Sequence, residues 1–302
     1  MTECERFIRE GSFTSDFFRP EVRCDFLVDE KRKKVWAVEL DMLSQFDEVC
    51  KIHGLRYFAF VGTLLGAVRH KGFVPWDDDI DLVMPRKDYE QMLKLGSEFC
   101  RPLFLQTPWT DPGYAFSFSK VRNGNTSFVS KKFRYEKFNQ GIMLDFHPLD
   151  VWCPNEDGER IYNDIAKLSY DNSTHMRLGN PELDAEDRER VSKYKICDPQ
   201  VVCERIRDLG MTFAGRESTF VCRNTFALYG YRRNVFFAED FSAVTYLDFE
   251  GVKIPAPKGY DRILTTLYGD YMKLPPVEKR GQWHSDSFVD PDKPYTHYLK
   301  QK

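Results

Sequence analysis

Residues 62–84 read GTLLGAVRHKGFVPWDDDIDLVM, and four aspartates fall within five positions: Asp77, Asp78, Asp79 and Asp81. Apolar residues interrupt and follow them, first Ile80, then Leu82, Val83 and Met84. The apolar run predicts a buried strand, on which successive side chains point to opposite faces. Asp79 and Asp81 then share one face, while Ile80 and Leu82 point the other way, into a core. Two carboxylates so close repel unless a cation lies between them. Hard oxygen donors in this arrangement suit Mg2+ or Mn2+. A calcium loop of the EF-hand kind would use Asp77, Asp79 and Asp81 as its first three ligand positions, but it needs glycine next, and Leu82 stands there. A solvated acidic turn ahead of a strand also fits the D-x-D taken alone.

The residues upstream favour the metal. LRYFAFVG reads as a buried strand that ends at Gly62-Thr63 and opens a short helix, TLLGAVRH. The first N–H groups of a helix have no backbone partners, so such a turn suits phosphate. Gly62 should tolerate no side chain, and the Thr63 hydroxyl should face the phosphates. The bland role for Thr63 is a helix cap. A phosphate cradle seventeen residues before Asp79 points to a nucleotide-phosphate site. Arg69 is a candidate phosphate contact, and His70 is expected to complement the helix C-terminus.

Other elements must position these groups. From Asp29 a helical stripe runs through Trp36, Leu40, Leu43, Phe46 and Val49 or Cys50, and Gly54 ends it. Pro85 opens a helix through RKDYEQMLKLGSEF. PLFLQT, YAFSFSKV and GIMLDF read as strands, so residues 30–150 form a mixed α/β domain. Residues 155–230 are polar and helical in propensity, and NPELDAEDRERVSKYK within them reads as a solvated helix face or loop. YLDFEGVKIPAP predicts a hairpin turning at Glu250-Gly251, and KGYDRILTTLYGD an amphipathic helix stopped by Gly269. Residues 1–28 show no clear period and are expected to wrap the surface. The organisation expected is an N-terminal arm (1–29), a catalytic core (30–153), a helical region (154–233) and a C-terminal hairpin, helix and tail (234–302) that complete the catalytic domain.

Composition narrows the partners. A net charge of −3 over 302 residues does not favour nucleic acid. MTECERFIRE has no apolar h-region, and no apolar run approaches the roughly 18 residues that span a bilayer, so a cytoplasmic chain is expected. The eight cysteines are scattered, with no C-x-x-C pair and no zinc spacing, as for reduced thiols.

The 62–84 block closely resembles the signature of the LicD family, the phosphocholine transferases and relatives that include fukutin and fukutin-related protein. The resemblance continues in SKVRN (119–123), GIMLDFHPLD (141–150) and YDRILTTLYGDYMKLPP (260–276), and so spans roughly residues 30–285. The family is similar to DNA polymerase beta-type nucleotidyltransferases. The resemblance implies an α/β (α+β) fold: a nucleotidyltransferase-like mixed sheet flanked by helices, with a helical insertion. It places Gly62-Thr63 at the nucleotide phosphates and the metal on Asp79, Asp81 and a third carboxylate, Asp145, with Asp77 as an outer ligand. His147 departs from the pattern, since the family usually carries an apolar residue there.

The activity implied is metal-dependent transfer of a phospho-head-group from a CDP-linked donor to a sugar hydroxyl of a glycan or lipid-linked oligosaccharide, of the lipopolysaccharide or teichoic-acid type. Asp145 would also take the proton from the attacking hydroxyl. Arg69, Lys120 and Arg122 would contact phosphate; for the last two the alternative is a solvated strand edge. For a choline head group, Trp76, Trp152 and Tyr114 are candidate walls of a cation–π cage, or else packing. Two other functions fit the same residues: a true nucleotidyltransferase that leaves NMP on its acceptor, and a catalytically silent glycan-binding module. No protein partner is expected; docking at the inner face of the membrane is.

Overall fold

The computed structural model describes residues 3–177, 180–182, 184–192, 198–225, 231–281, 284 and 286–300. The first segment forms α1 (Glu3–Glu10) and a ribbon of β1 (Glu21–Arg23) with β2 (Phe26–Val28). An eight-residue helix is too short to declare a period, and α1 is held by burial of Phe7 and by an ion pair from Arg6 to Asp41 at 3.0 Å. The long helix α2 (Glu30–His53) begins and ends where its caps predict. The Asp29 side chain accepts from the Arg32 amide at 2.8 Å, and Gly54 takes a left-handed φ of 64° that costs glycine little.

After it come β3 (Phe58–Ala59), α3 (Val61–Arg69), β4 (Ile80–Pro85), α4 (Arg86–Met92), β5 (Leu103–Gln106), β6 (Ser119–Asn123), β7 (Ser127–Ser130) and β8 (Ile142–Trp152). Strand β3 is only two residues long because the chain turns at once into α3. Residues 114–118 stay outside β6, with the Tyr114 hydroxyl donating to the Phe118 carbonyl at 2.9 Å. Pro85 ends β4 and caps α4, which is shorter than its helix-forming sequence predicts.

The polar region forms α5 (Glu156–His175), α6 (Ala185–Ser192) and α7 (Pro199–Gly210). The side chains described on α6 are exposed; residues 193–195 of the charge-rich stretch lie outside the described residues. Then follow β9 (Phe220–Cys222), β10 (Val235–Phe237), the hairpin of β11 (Val244–Phe249) and β12 (Val252–Pro257), α8 (Tyr260–Tyr268) and β13 (Ser287–Asp290). Glu250 and Gly251 make the hairpin turn, both with positive φ (47° and 83°). The thiols of Cys24, Cys50, Cys100, Cys153, Cys203 and Cys222 are unpaired.

These elements make a mixed α/β fold around one seven-stranded sheet. Its main path runs β10-β9-β8-β4-β3, with β6 pairing to β8 and β5 to β6. Strand β8 is the spine. It lies parallel to β4, antiparallel to β6 along 142–146, and antiparallel to β9 at its far end. Ile80, Leu82, Leu144 and Phe146 are fully buried in the main core beneath α2, with the Phe46 ring 5.5 Å from Phe146. That same core takes in Phe249, Ile254, Ile263 and Leu267 from the C-terminal hairpin and α8. A second core forms around Trp152, Tyr162, Ile206 and Phe213, between the end of β8 and helices α5 and α7.

Helix α3 is seated by one close approach. A Cβ on Gly66 would overlap the Gly72 backbone carbonyl, which cannot move aside as a flexible side chain could. Gly66→Ala should therefore lower the urea unfolding free energy by about 1–3 kcal/mol, the scale for overpacking. Gly96 is the control: a Cβ added there meets nothing within 4 Å, and Gly96→Ala should change little. Equal midpoints for the two variants would contradict this packing.

Candidate active site

The site grows from strand register. Asp81 on β4 lies directly across from Asp145 on β8, and Lys120 on β6 lies across from Asp145 on the other side. Side chains of paired residues share a face, so the three converge. His147, two residues beyond Asp145 on β8, joins the same face. The Lys120 ammonium meets both Asp145 oxygens at 2.6 and 2.5 Å. His147 Nε2 is 3.8 Å from Asp81 Oδ1, and its Nδ1 is 2.9 Å from the Thr225 hydroxyl. Asp81, Asp145 and His147 each offer one donor atom, all within 4.8 Å of one another. Asp78, Asp79 and His284 form a second group of the same kind, with His284 Nδ1 at 2.8 Å from Asp78.

Except for Asp78, these groups line one cavity of about 870 Å³, together with Gly62, Asp77, Arg69 and Arg223. Phe116, Phe118, Phe133 and Phe138 wall one side, and Trp76, Tyr268 and Tyr271 also reach it. The structure therefore brings Asp77, Asp79, Asp81, Asp145, Lys120 and Gly62 onto a common space. It gives several expected residues different work.

The Thr63 hydroxyl accepts from the Asp81 amide at 2.8 Å and is buried, so it fixes the acidic strand instead of facing a ligand. Gly62 lacks a Cβ because the Asp77 carboxylate occupies that space. Arg69 donates to the Tyr271 carbonyl at 2.7 Å and to His70 Nε2 at 2.9 Å, which ties α3 to the C-terminal segment. His70 caps α3, but burial, then the Arg69 and Arg23 charges, depress its pKa to about 4. It is neutral and cannot offer the helix end a charge. Arg122 is buried, not solvated, and donates to Gln106 Oε1 and the Gly141 carbonyl at 2.8 and 2.7 Å. Lys120 is likewise no solvated edge. Trp152 sits in the second core with its indole donating to the Tyr231 hydroxyl, and Tyr114 is fully buried; neither lines the cavity. Trp76, the third aromatic expected there, does line it, and phenylalanines take the place of the other two.

Burial and like charge set the titration of the acids. Burial, then Asp77, Asp81 and Asp78, push Asp79 well above the usual carboxylate range. Burial, then Asp78 and Asp81, raise Asp77 to about 7. Asp81 also feels burial, but His147, Arg223 and Lys120 outweigh it and hold the carboxyl low. Burial keeps His147 itself on the neutral side. The acids thus divide into a pair that retains protons without a cation and one that stays ionised beside fixed partners. That crowding is what a divalent cation relieves. Of the three expected ligands, Asp81 and Asp145 lie together with His147, whereas Asp79 lies with Asp78 and His284.

His284 and Arg223 are cavity residues that the sequence does not point to. His284 reaches the site because β13 pairs with β7. Arg223 follows β9, which pairs with the end of β8. Neither has a local pattern that would mark it.

A carboxylate pair on a mixed sheet, entered through a tight strand-to-helix turn, is the layout of a nucleotidyltransferase-like domain. Residues 54–182 match the family described as LicD/FKTN/FKRP, nucleotidyltransferase domain. The chain is 26% identical over 266 residues to the lipopolysaccharide cholinephosphotransferase LicD of Haemophilus influenzae, an alignment that covers 81% of this chain and 92% of that protein. It is 36% identical over 123 residues to an uncharacterised protein of Rickettsia typhi, covering 38% of this chain and 35% of that one. The likeness to the LicD family thus covers residues 54–182 in the family match and 81% of the chain in one relative.

The titration order gives a stability signature in the metal-free protein. A carboxyl raised on folding holds its proton more tightly when folded than when unfolded. Between the ordinary carboxylate value and about 7 the folded state therefore binds more protons, and raising pH costs stability. Asp77→Asn removes that cost. With chelator present, Asp77→Asn should gain stability relative to the parent as pH rises from about 4.5 to 7. Urea midpoints of both proteins at the two pH values test this; a gap that is constant or shrinks would refute it.

Proposed function

We propose that this chain transfers a phosphorylated head group, phosphocholine or a related phosphoalcohol, from a CDP-activated donor to a sugar hydroxyl of a surface-glycan precursor, with Mg2+ or Mn2+. The observation that carries this reading is the convergence of Asp79, Asp81 and Asp145 on one cavity, in a chain alignable over 81% of its length with a cholinephosphotransferase. When bound, the cation would offset charge on the donor diphosphate. Asp81 and Asp145, with Asp79, would hold it.

The chain's own residues supply the rest. Lys120 pairs with Asp145 and would turn toward a donor phosphate oxygen, which frees an Asp145 oxygen. The acceptor hydroxyl oxygen then bonds to the head-group phosphorus. The bond from that phosphorus to the bridging oxygen breaks, and CMP leaves with the electron pair. The hydroxyl proton passes to Asp145. The Phe116, Phe118, Phe133 and Phe138 rings offer faces for a quaternary ammonium. No helix among the described residues is long and apolar enough to cross a membrane, and we place the enzyme in the cytoplasm, at the inner membrane face where glycan precursors are met.

Two measurements test the reading. With CDP-choline labelled separately in cytidine and in choline, the choline label should appear on the glycan and the cytidine label as free CMP. Cytidine label on the acceptor would instead establish nucleotidyl transfer. Asp81→Ala should slow transfer at least about 100-fold in a variant that circular dichroism shows to be folded. A folded Asp81→Ala enzyme with near-normal turnover would overturn the metal-dependent mechanism.

A further inference from the structure

We infer that the acceptor is itself anionic, and that Lys273 and Lys279 hold a phosphate group that it carries. This rests on the transfer reading above and adds the class of acceptor to it. The cavity departs from the chain in charge. The whole chain has 44 lysines and arginines against 47 acids, yet eight lysines and arginines and six aspartates line the cavity. A bound divalent cation would widen that surplus. A CDP-choline donor would not cancel it, because its diphosphate is doubly negative but its ammonium is positive. The positive field that remains is what a negatively charged second substrate answers.

Other cations of the cavity are already engaged. Lys120 is held by Asp145, and Asp286 lies 3.7 Å from Lys132. Arg69 and Arg122 donate to backbone carbonyls. Lys273 and Lys279 differ. Both side chains are exposed, and neither ammonium group pairs with an acid among the described residues. Their backbone is nonetheless anchored. Arg69 donates to the Tyr271 carbonyl, and Arg280 donates to the carbonyls of Pro275 and Cys24, both at 2.8 Å. The segment after α8 thus offers two unspent point charges from a fixed chain. Because both open onto the cavity, a group on a bound acceptor fits them better than a lipid surface does.

Two sources would supply the phosphate, a phosphorylated sugar ring or a lipid-linked diphosphate, and the test carries a probe for each. The full chain is loaded with Mn2+ and a methylene-bridged CDP-choline that cannot transfer. It is then titrated calorimetrically with methyl glucoside, a phosphorylated methyl glucoside and geranyl diphosphate. At least one phosphorylated probe should bind on the order of tenfold tighter than the plain glucoside, and the tighter of the two names the source. Added salt should narrow the gap, since exposed charges are screened. Lys273→Gln combined with Lys279→Gln should close the gap and leave affinity for the CDP-choline analogue within about twofold of the parent, which also shows the variant to be folded. A gap that persists in the double variant, or no gap in the parent, would overturn the inference and leave the transfer reading standing. A double variant with an unchanged circular dichroism spectrum that loses the CDP-choline analogue would give the lysines to the donor and overturn it as well. A parent that binds neither CDP-choline nor its analogue would overturn both readings.

Discussion

The site depends on one pairing: β4 parallel to β8, with Asp81 set beside Asp145. Two acids side by side on neighbouring strands repel, and burial makes the repulsion worse. The fold accepts this because the neighbouring strand supplies Lys120 across from Asp145, while the Arg223 charge helps hold Asp81 ionised. A one-residue slip of β8 would turn Asp145 into the core and bring Leu144 or Phe146 to the cavity, since strand faces alternate. The register is pinned from the core side, where Ile80, Leu82, Leu144 and Phe146 are fully buried. Core packing thus holds in place an arrangement of charge that it would not otherwise favour.

The turn before α3 serves the same pairing. Thr63 accepts from the Asp81 amide, and Phe60 donates to the Asp81 carbonyl at 3.0 Å. Asp81 is therefore held by its backbone on both sides before any ligand arrives. Val61, at the entry to α3, carries a φ of 36°, a conformation β-branched residues rarely adopt. Strain of this kind persists where surrounding structure over-determines it. Here the determinants are the Gly62 approach to Asp77 and the Thr63 bond to the strand.

Much of this was legible in the sequence, and the failures follow a pattern. The caps Asp29 and Gly54 bound α2 because capping is local chemistry. The inward turn of Ile80 and Leu82 followed from strand alternation, whereas Asp79 falls just before β4, which begins at Ile80. What could not be read was which distant segments meet. Trp152 and Tyr114 are aromatic and near the motifs in sequence, yet the second core and the loop before β6 take them inward. Arg69 and Arg122 do line the cavity, but they also donate to the Tyr271 and Gly141 carbonyls. His284 entered through a strand pairing with no local signal. A cation's type and position near a motif do not say whether the backbone has already claimed it.

The cavity has two kinds of wall, and the division matches what phosphate transfer demands. Asp81, Lys120, Asp145 and His147 stand on paired strands, where neighbouring register limits their movement. Asp77, Asp79, His284 and Tyr271 stand on turns and on the C-terminal segment. Groups that must meet a reacting phosphorus within a few tenths of an ångström belong on the rigid side. Groups that must admit a donor and then an acceptor can belong on the other. Arg69 joins the sides: it lies at the end of α3, whose start holds the acidic strand, and it grips the carbonyl of Tyr271. A shift of the segment around Tyr271 would therefore be felt at α3, and through Thr63 at Asp81, by a route separate from the contact that His284 makes with Asp78.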